Sequence, residues 1–201
     1  MELRPLRIPQ AWVAEPVVHA DDRGEFLEWF RADRLFEAAG RRVETLQGNL
    51  STSGRGTVRG LHFADVPPGQ AKYVTVVAGS VLDVLVDLRV GSPTFGAVEH
   101  IELDAVGHRA VFVPEGVGHL FAVTSESATV CYLATDVYRP DSEHAITPLD
   151  PQLGIELPDL GTPTISPRDQ AAPTLEAALA SGLLPTWEAC QERYAALGFG
   201  A

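Results

Sequence analysis

The sequence predicts a mainly β protein, built either as a closed antiparallel barrel or as a double-sheet jelly roll. Eight or so short runs rich in Val, Leu, Thr and aromatic residues follow one another from about residue 43 to about residue 138. Turn-forming pieces such as SGRG, PPGQ and SESA separate these runs. No helical pattern lies between them, so the crossover helices that a parallel sheet needs are missing. The length of 201 residues and the 45% hydrophobic content suit one core, and we expect a single domain over residues 1–201.

The elements can be assigned in chain order. AWVAEPVVHA (Ala11–Ala20) is a candidate N-terminal strand, and RADRLFEAAG has helical apolar spacing and ends on Gly40, a typical C-terminal cap residue. After Pro158, a stretch rich in Pro, Thr and Ser predicts a loop or tail, followed by the helices TLEAALASG and TWEACQERYAAL. This C-terminal tail with its helices covers about residues 158–201. The strands of the core are VETLQGNLSTS, TVRGLHF, KYVTVVAG, SVLDVLVDL, AVEHIEL, AVFVPEG, GHLFAVTS and ATVCYLATDVY.

Charge and composition exclude several classes of function. There are 27 acidic residues against 15 basic ones, a net charge of −12 that repels nucleic acid and anionic membranes. No apolar run reaches the ~18 residues of a membrane span, and the N-terminal MELRPLRIPQ lacks the apolar region of a signal peptide. Cys131 and Cys190 are too few for a disulfide scaffold. We expect a soluble cytoplasmic protein with reduced thiols.

The only lysine, Lys72, stands out, because the other 14 basic residues are arginines. In KYVTVVAG it alternates with Val74 and Val76, but the opposite face is apolar too, so alternation does not tell which face is inside. One interpretation is an edge lysine that reaches solvent. The other is a compact or titratable charge that a guanidinium cannot replace. An inward Asp83 on the next strand could pair with it.

Two histidines occur in motifs of their own. His62 lies in RGLHF, where Gly60 leaves room for the close approach of a ligand or a backbone. PEGVGH, which ends on His119, resembles the second motif of cupins, which are small jelly-roll barrels. Metal-binding cupins add His-x-His and a downstream Glu, but Ala64 stands two residues after His62, and no Glu follows within eleven residues. We therefore expect no metal site, and the histidines remain for proton chemistry or hydrogen bonding.

A tyrosine and three arginines are the remaining candidates for catalytic and anion-binding residues. Tyr132 shares strand parity with Val130, which places it in the core or in a cavity, where its hydroxyl needs a partner. Arg23, Arg59 and Arg168 are the residues with which an acidic protein could build a local anion site. A His base, a Lys that stabilises an enolate and a Tyr acid on the opposite face would together perform an epimerisation without a cofactor.

The motifs in order identify a family. DRGEFLEWF, QGNLSTSGRGTVRGLHF, PPGQAKYVTVVAGSVLDVLVDLRVGSPTFG, VPEGVGHLF, YLATDVYRPDSEHAI, LDPQLGIELP and ISPRDQ resemble the dTDP-4-keto-6-deoxyglucose (dTDP-4-dehydrorhamnose) 3,5-epimerase family, from about Arg4 to Pro185. The resemblance implies a cupin-type jelly roll without cofactor or metal. It also implies a homodimer, for which Ala11–Ala20 is a candidate to exchange between protomers.

The resemblance also implies site residues. His62 would be the general base, Asp169 its orienting carboxylate, Lys72 the enolate stabiliser with Asp83 as its ion-pair partner, and Tyr132 the general acid. The arginines would meet the diphosphate, while Tyr138 and Phe26 suit contact with thymine. The residues implied for substrate binding are Arg23, Phe26, Glu28, Gln47, Asn49, Arg59, His119, Tyr138, Glu143 and Arg168.

Several interpretations of the activity stay open at this point. PPGQAKYVTVV and GLLPTWEACQE are similar to the branch of the family that serves antibiotic deoxysugars, whose members epimerise carbon 3, carbon 5 or both. Where many members carry a polar residue, this chain has Ala64, in a loop bordering the site. The alternatives are a sugar-nucleotide 3,4-ketoisomerase and a non-catalytic cupin that binds a nucleotide sugar. A metal-dependent cupin oxygenase fits least well.

Overall fold

The computed structural model describes residues 1–198, so the last three residues of the predicted C-terminal segment, 199–201, lie outside the described residues. In chain order the strands are β1 (Glu2–Pro5), β2 (Trp12–Glu15), β3 (Val18–Asp21), β4 (Gly24–Leu27), β5 (Gln47–Gly54), β6 (Thr57–Ala64), β7 (Lys72–Ala78), β8 (Ser80–Asp87), β9 (Val98–Asp104), β10 (Ala110–Val113), β11 (Val117–Val123), β12 (Ser127–Ala134), β13 (Glu143–Ala145) and β14 (Thr164–Ile165). The helices are α1 (Ala32–Ala39), α2 (Pro167–Gln170), α3 (Leu175–Ala180) and α4 (Trp187–Ala196).

Two sheets face each other. The first has the strand order β1-β2-β10-β7-β12-β5, and the second has the order β13-β6-β11-β8-β9, with β14 added in parallel to β6. Every pairing along these two orders is antiparallel. This is the predicted cupin-type jelly roll.

The packing between the two sheets shows which face of β7 points into the barrel. Val74 and Val76 belong to a buried cluster that combines apolar side chains of both sheets, including Leu85 of β8 and Phe121 of β11. Lys72 shares their parity and therefore faces the interior. Tyr73 points the other way, into a cluster under α1, so the outer face of β7 is buried there as well.

The helix at residues 31–40 is confirmed, and it ends at Gly40 with a left-handed φ of 65°. The two C-terminal helices are also confirmed. The stretch after Pro158, which we predicted as a loop, contains the short helix α2. The Ser166 side chain caps this helix by accepting a hydrogen bond from Asp169 N, with Pro167 in the first turn.

The predicted N-terminal strand Ala11–Ala20 is wrong as a single element. It is two strands, β2 and β3, separated by Pro16 and Val17. β2 pairs with β1 and β10 of its own chain, whereas β3, among the described residues 1–198, pairs only with β4 in a two-stranded hairpin. Because Pro lacks the N–H that a continuous ladder needs, the chain turns away from the sheet at this point. Within residues 1–198, no helix is both long and apolar enough to cross a membrane.

Candidate active site

An irregularity in β6 places Arg59 and His62 on the same, interior face of the sheet. Val58, Leu61 and Phe63 pack in the outer cluster, so the alternation breaks at Gly60 and both Arg59 and His62 face inward. Gly60 has a φ of +123°, and a Cβ there would lie 2.5 Å from the carbonyl oxygen of His119. The close approach predicted for Gly60 is therefore to the backbone of β11. Only glycine fits this place.

His62 forms an imidazole–carboxylate pair. Its Nε2 lies 2.7 Å from Oδ1 of Asp169, which is buried at the N-terminal end of the chain's short helix α2. Burial raises the pKa of Asp169, but the hydrogen bonds from His62, Ser166 and the Gly60 backbone outweigh it and lower the pKa overall. An ionised Asp169 accepts the Nε2 proton, so in the neutral imidazole the lone pair is on Nδ1.

The half-buried Lys72 lies at the start of β7 and faces the interior of the barrel. Desolvation lowers its pKa, and the charges of Glu143 and Asp83 oppose this effect. Among residues 1–198, no carboxylate comes within ion-pair distance of its Nζ, so the expected Lys72–Asp83 ion pair is wrong as a direct contact. The reason is that Asp83 already has a nearer partner.

That partner is His119. Its Nε2 lies 2.8 Å from Oδ2 of the fully buried Asp83, while Oδ1 of the same carboxylate has no hydrogen-bond partner in the described chain. In the β6–β11 pairing His119 stands directly opposite His62. Two imidazole–carboxylate pairs therefore lie on neighbouring strands of one sheet.

Tyr132 lies on β12 and packs against the interior cluster. Desolvation raises the pKa of its hydroxyl, Glu143 raises it further, and Arg59 opposes both. The phenol, whose ordinary pKa of 10.0 already lies well above neutrality, is therefore protonated at neutral pH. Arg59 itself is oriented by Ser53 of β5, to which its Nε donates at 3.1 Å.

These side chains meet at a cavity of about 210 Å³. Its lining combines the imidazole, ammonium and phenol groups with amides, a carboxylate and a guanidinium: Gln47, Asn49, His62, Gln70, Lys72, Tyr132, Tyr138, Glu143 and Arg168. Arg168 also donates to the backbone oxygen of Glu143 at 2.9 Å, which joins α2 to β13. Among residues 1–198 there is no group of three or more His, Cys, Asp and Glu side chains arranged to hold a metal ion.

The amides at one side of the cavity form a chain of hydrogen bonds. Gln47 Oε1 accepts from the backbone N–H of Tyr138 at 2.8 Å, and Gln47 Nε2 donates to Asn49 Oδ1 at 2.9 Å. Gln47 therefore positions the segment that carries Tyr138, and Asn49 is left with its NH₂ group to donate into the cavity.

Five of the ten implied binding residues do not line the cavity: Arg23, Phe26, Glu28, Arg59 and His119. Arg23, Phe26 and Glu28 lie on or just after the hairpin β3–β4, where Arg23 pairs with Asp21 and Glu28 with Arg31. Phe26 is 68% exposed. One chain therefore gathers Arg168 and Arg59 near the cavity, while Arg23 stays apart.

Sequence reasoning missed Gln70 and Ser166. Gln70 lies two residues before Lys72, and this shared parity was the available signal. Ser166 could have been found from the Ser-Pro-x-Asp pattern that begins a helix, in which the serine caps the N-terminus.

Comparison with known proteins shows the family to which this chain is similar. The family model described as dTDP-4-dehydrorhamnose 3,5-epimerase matches residues 5–177. A dTDP-4-dehydrorhamnose 3-epimerase from Streptomyces niveus is 56% identical over 95% of this chain and 92% of its own. The 4-keto-6-deoxy sugar epimerase NovW, from the novobiocin biosynthetic gene cluster of Streptomyces spheroides, superposes with a TM-score of 0.92 at 55% identity, covering 95% and 96% of the two chains.

A second solved structure contains a nucleotide sugar. The 3'-monoepimerase ChmJ from Streptomyces bikiniensis, in complex with dTDP-quinovose, superposes with a TM-score of 0.94 at 46% identity, covering 98% of this chain and 99% of its own. Fold, motif order and the extent of these matches lead to one conclusion: the chain belongs to the dTDP-4-dehydrorhamnose 3,5-epimerase family.

Proposed function

We propose that this enzyme epimerises a dTDP-4-keto-6-deoxyhexose next to its keto group, in the biosynthesis of an antibiotic deoxysugar. The observation that carries the proposal is the convergence of His62, Lys72 and Tyr132 on one cavity, with Asp169 behind His62. Carbon 3 appears in the name of the family, in that of the Streptomyces niveus 3-epimerase and in that of the 3'-monoepimerase ChmJ, so we expect reaction there.

In the proposed reaction His62 Nδ1 removes the proton from the carbon next to the ketone. The C–H electron pair forms the C=C bond of the enolate, the C=O π pair moves to the oxygen, and the Lys72 ammonium stabilises this oxygen by a charge-assisted hydrogen bond. Tyr132 then delivers its phenolic proton to the opposite face of that carbon, which inverts the configuration. The imidazolium then loses its proton to solvent and the phenolate takes one up from solvent, so both residues return to their starting states and the reaction needs no other acid or base.

We assign the remaining polar residues of the site to the nucleotide and the sugar. Arg168 and Arg59 would neutralise the diphosphate, and His119, Asn49 and Glu143 would bind polar groups of the substrate. Gln47 would act by holding Tyr138, whose 52% exposed ring is available for contact with thymine.

We infer that the enzyme is a homodimer and that the hairpin β3–β4 of a second copy completes the site. Phe26, Leu50 and Val77 are all more than half exposed, an unusual exposure for apolar side chains of this size. Arg23, Phe26 and Glu28 lie on this hairpin segment and not at the cavity of their own chain, which supports a role at the cavity of a partner.

We further propose that residues 1–201 act as one domain in the cytoplasm. Tyr194 of α4 donates to the backbone oxygen of Glu115 at 2.8 Å, and the buried Arg41–Glu115 ion pair lies beside it at 2.5 Å, so the C-terminal helix is bound to the barrel. Cys131 and Cys190 are both free, which suits a reducing compartment.

The proposal is tested by incubating the enzyme with dTDP-4-keto-6-deoxyglucose in D₂O and following carbons 3 and 5 by NMR. We expect deuterium at carbon 3, and label at carbon 5 would identify a 3,5-epimerase. Absence of exchange at both carbons would overturn the proposed enolisation. A carbonyl moved to carbon 3 would instead identify a 3,4-ketoisomerase, and binding without exchange would identify a non-catalytic protein.

A further inference from the structure

Gln70 is a lining residue of the cavity to which none of the roles above applies. It precedes β7, two residues before Lys72, and its half-buried side chain faces the same cavity as Lys72 and Tyr138. Its backbone neighbours are firmly held: Ala71 N donates to Thr135 Oγ1 at 2.8 Å, and Thr135 N donates to Ala71 O at 3.0 Å. The side chain therefore projects from a fixed backbone.

The carboxamide of Gln70 has a defined orientation. Its Nε2 donates to the backbone oxygen of Asp136 at 3.1 Å, and because a carbonyl can only accept, this contact fixes which end is nitrogen. Within residues 1–198 no protein group donates to its Oε1, and this atom is not sealed off from the cavity or solvent. The structure thus holds a neutral acceptor oxygen ready beside the proposed enolate site.

The donors and acceptors that line the cavity indicate which group of the substrate this oxygen can bind. The Lys72 ammonium, the Arg168 guanidinium and the Asn49 NH₂ are donors, suited to the keto oxygen and the diphosphate. Ring hydroxyls of a sugar also need acceptors. In the part of the chain that the structure describes, only Gln70 and Glu143 line the cavity with a carbonyl or carboxylate oxygen that no protein donor occupies.

The position of Gln70 indicates which hydroxyl groups of the sugar it can contact. Lys72 marks the site of the carbonyl at carbon 4, and Asp136, to which Gln70 is bound, leads directly to Tyr138 on the nucleotide side. The hydroxyls between carbon 4 and the diphosphate at carbon 1 are those at carbons 2 and 3. A neutral amide can bind such a hydroxyl without competing as an anion for the Lys72 ammonium.

We propose that Gln70 is a specificity-determining residue whose Oε1 accepts a hydrogen bond from the sugar hydroxyl at carbon 2 or carbon 3. This inference rests on the proposed function, since it takes the substrate to be a dTDP-4-keto-6-deoxyhexose.

The experiment measures kcat/KM for deuterium exchange in the wild type and in Gln70→Met with three substrates: dTDP-4-keto-6-deoxyglucose and its 2-deoxy and 3-deoxy analogues. Loss of one hydrogen bond should cost Gln70→Met about tenfold with the fully hydroxylated substrate. With the analogue that lacks the contacted hydroxyl, the difference between variant and wild type should shrink to less than about twofold. The analogue that removes the difference identifies the carbon.

Thr135→Val is the matched control, because it loosens the Ala71 backbone without touching the Gln70 carboxamide. It should lower kcat/KM by the same factor for all three substrates, as a purely structural defect does. The Kd for dTDP alone should be unchanged in Gln70→Met, which shows that the variant is folded and binds nucleotide. An equal loss on all three substrates in Gln70→Met would overturn the inference. If instead the wild type itself exchanges no deuterium, the proposed function fails.

Discussion

At the scale of single residues, the site is built from a few side chains held by partners that are distant in sequence. His62, Lys72 and Tyr132 could be selected from the sequence because each is an unusual residue in an apolar strand. Asp169 could not, since 107 positions separate it from His62 and only the resemblance supplied it. The partner of Asp83 was predicted wrongly, because strand parity shows which face a carboxylate is on but not which neighbour it contacts.

The carboxylate of Asp83 leads to a prediction about Lys72. In Asp83→Asn the Lys72 ammonium loses one of the two carboxylates that raise its pKa, so this pKa falls further. Since Lys72 works as an ammonium, activity is lost as pH rises through its pKa, and the alkaline limb of kcat/KM should move to lower pH. We expect kcat/KM at neutral pH to fall by about tenfold or more.

The control for this variant is Glu102→Gln, which removes an exposed carboxylate on the neighbouring strand β9. Its pH profile should match that of the wild type. An alkaline limb at the same pH in Asp83→Asn and wild type would show that Asp83 does not act on Lys72.

At the scale of elements, the irregular strand β6 decides what the cavity contains. A regular strand would send Arg59 and His62, three positions apart, to opposite faces. The shift at Gly60 brings both inside. The sequence predicted a close approach at this glycine but not the change of register, which depends on the neighbouring backbone of β11.

We predict that Gly60→Ala is strongly destabilising. The new Cβ would collide with backbone atoms of His119 and Leu120 at 2.5 and 2.7 Å, and neither atom can move without breaking the ladder. We expect a loss of about 3 kcal/mol in the free energy of unfolding, or a Tm lower by roughly 6–12 °C.

Gly24→Ala separates the cost of the close contact from the cost of the positive φ. Gly24 has almost the same φ, +124°, but among residues 1–198, its two chain neighbours aside, no atom lies within 4 Å of the place where an alanine Cβ would stand. It should therefore show only the cost of the backbone conformation, about 1–2 kcal/mol. Equal destabilisation of the two variants, measured by thermal and denaturant unfolding, would refute the close-contact explanation.

At the scale of the whole molecule, the proposed function requires a chain with a net charge of −12 to bind an anionic substrate, which it would do by concentrating its few cations. The sequence favoured Arg23, Arg59 and Arg168 as one group, yet the chain places Arg23 on an exposed hairpin away from the cavity. The jelly roll itself was predictable from strand spacing. The sequence did not predict that the N-terminal segment is divided between a sheet and a hairpin, because this division depends on which strand edges of the barrel are free.

If the enzyme is a homodimer, light scattering should give a mass of twice 21.6 kDa.

Phe26→Ala should raise the KM for the nucleotide sugar about tenfold, because stacking on a base contributes about 1–3 kcal/mol, while the fold of each subunit is retained. Val106→Ala, a change at an 87% exposed valine outside the hairpin, is the control and should leave KM unchanged. A monomer at micromolar concentration with full activity would contradict the proposed sharing of the site.

The central claim is that His62 and Lys72 perform enolisation at this cavity. The most direct test measures the rate of deuterium exchange in His62→Ala and Lys72→Ala, together with the affinity of each variant for dTDP by calorimetry. We predict that each variant loses exchange by at least about a hundredfold and still binds dTDP. A Lys72→Ala or His62→Ala enzyme that exchanges deuterium at the wild-type rate would contradict the account.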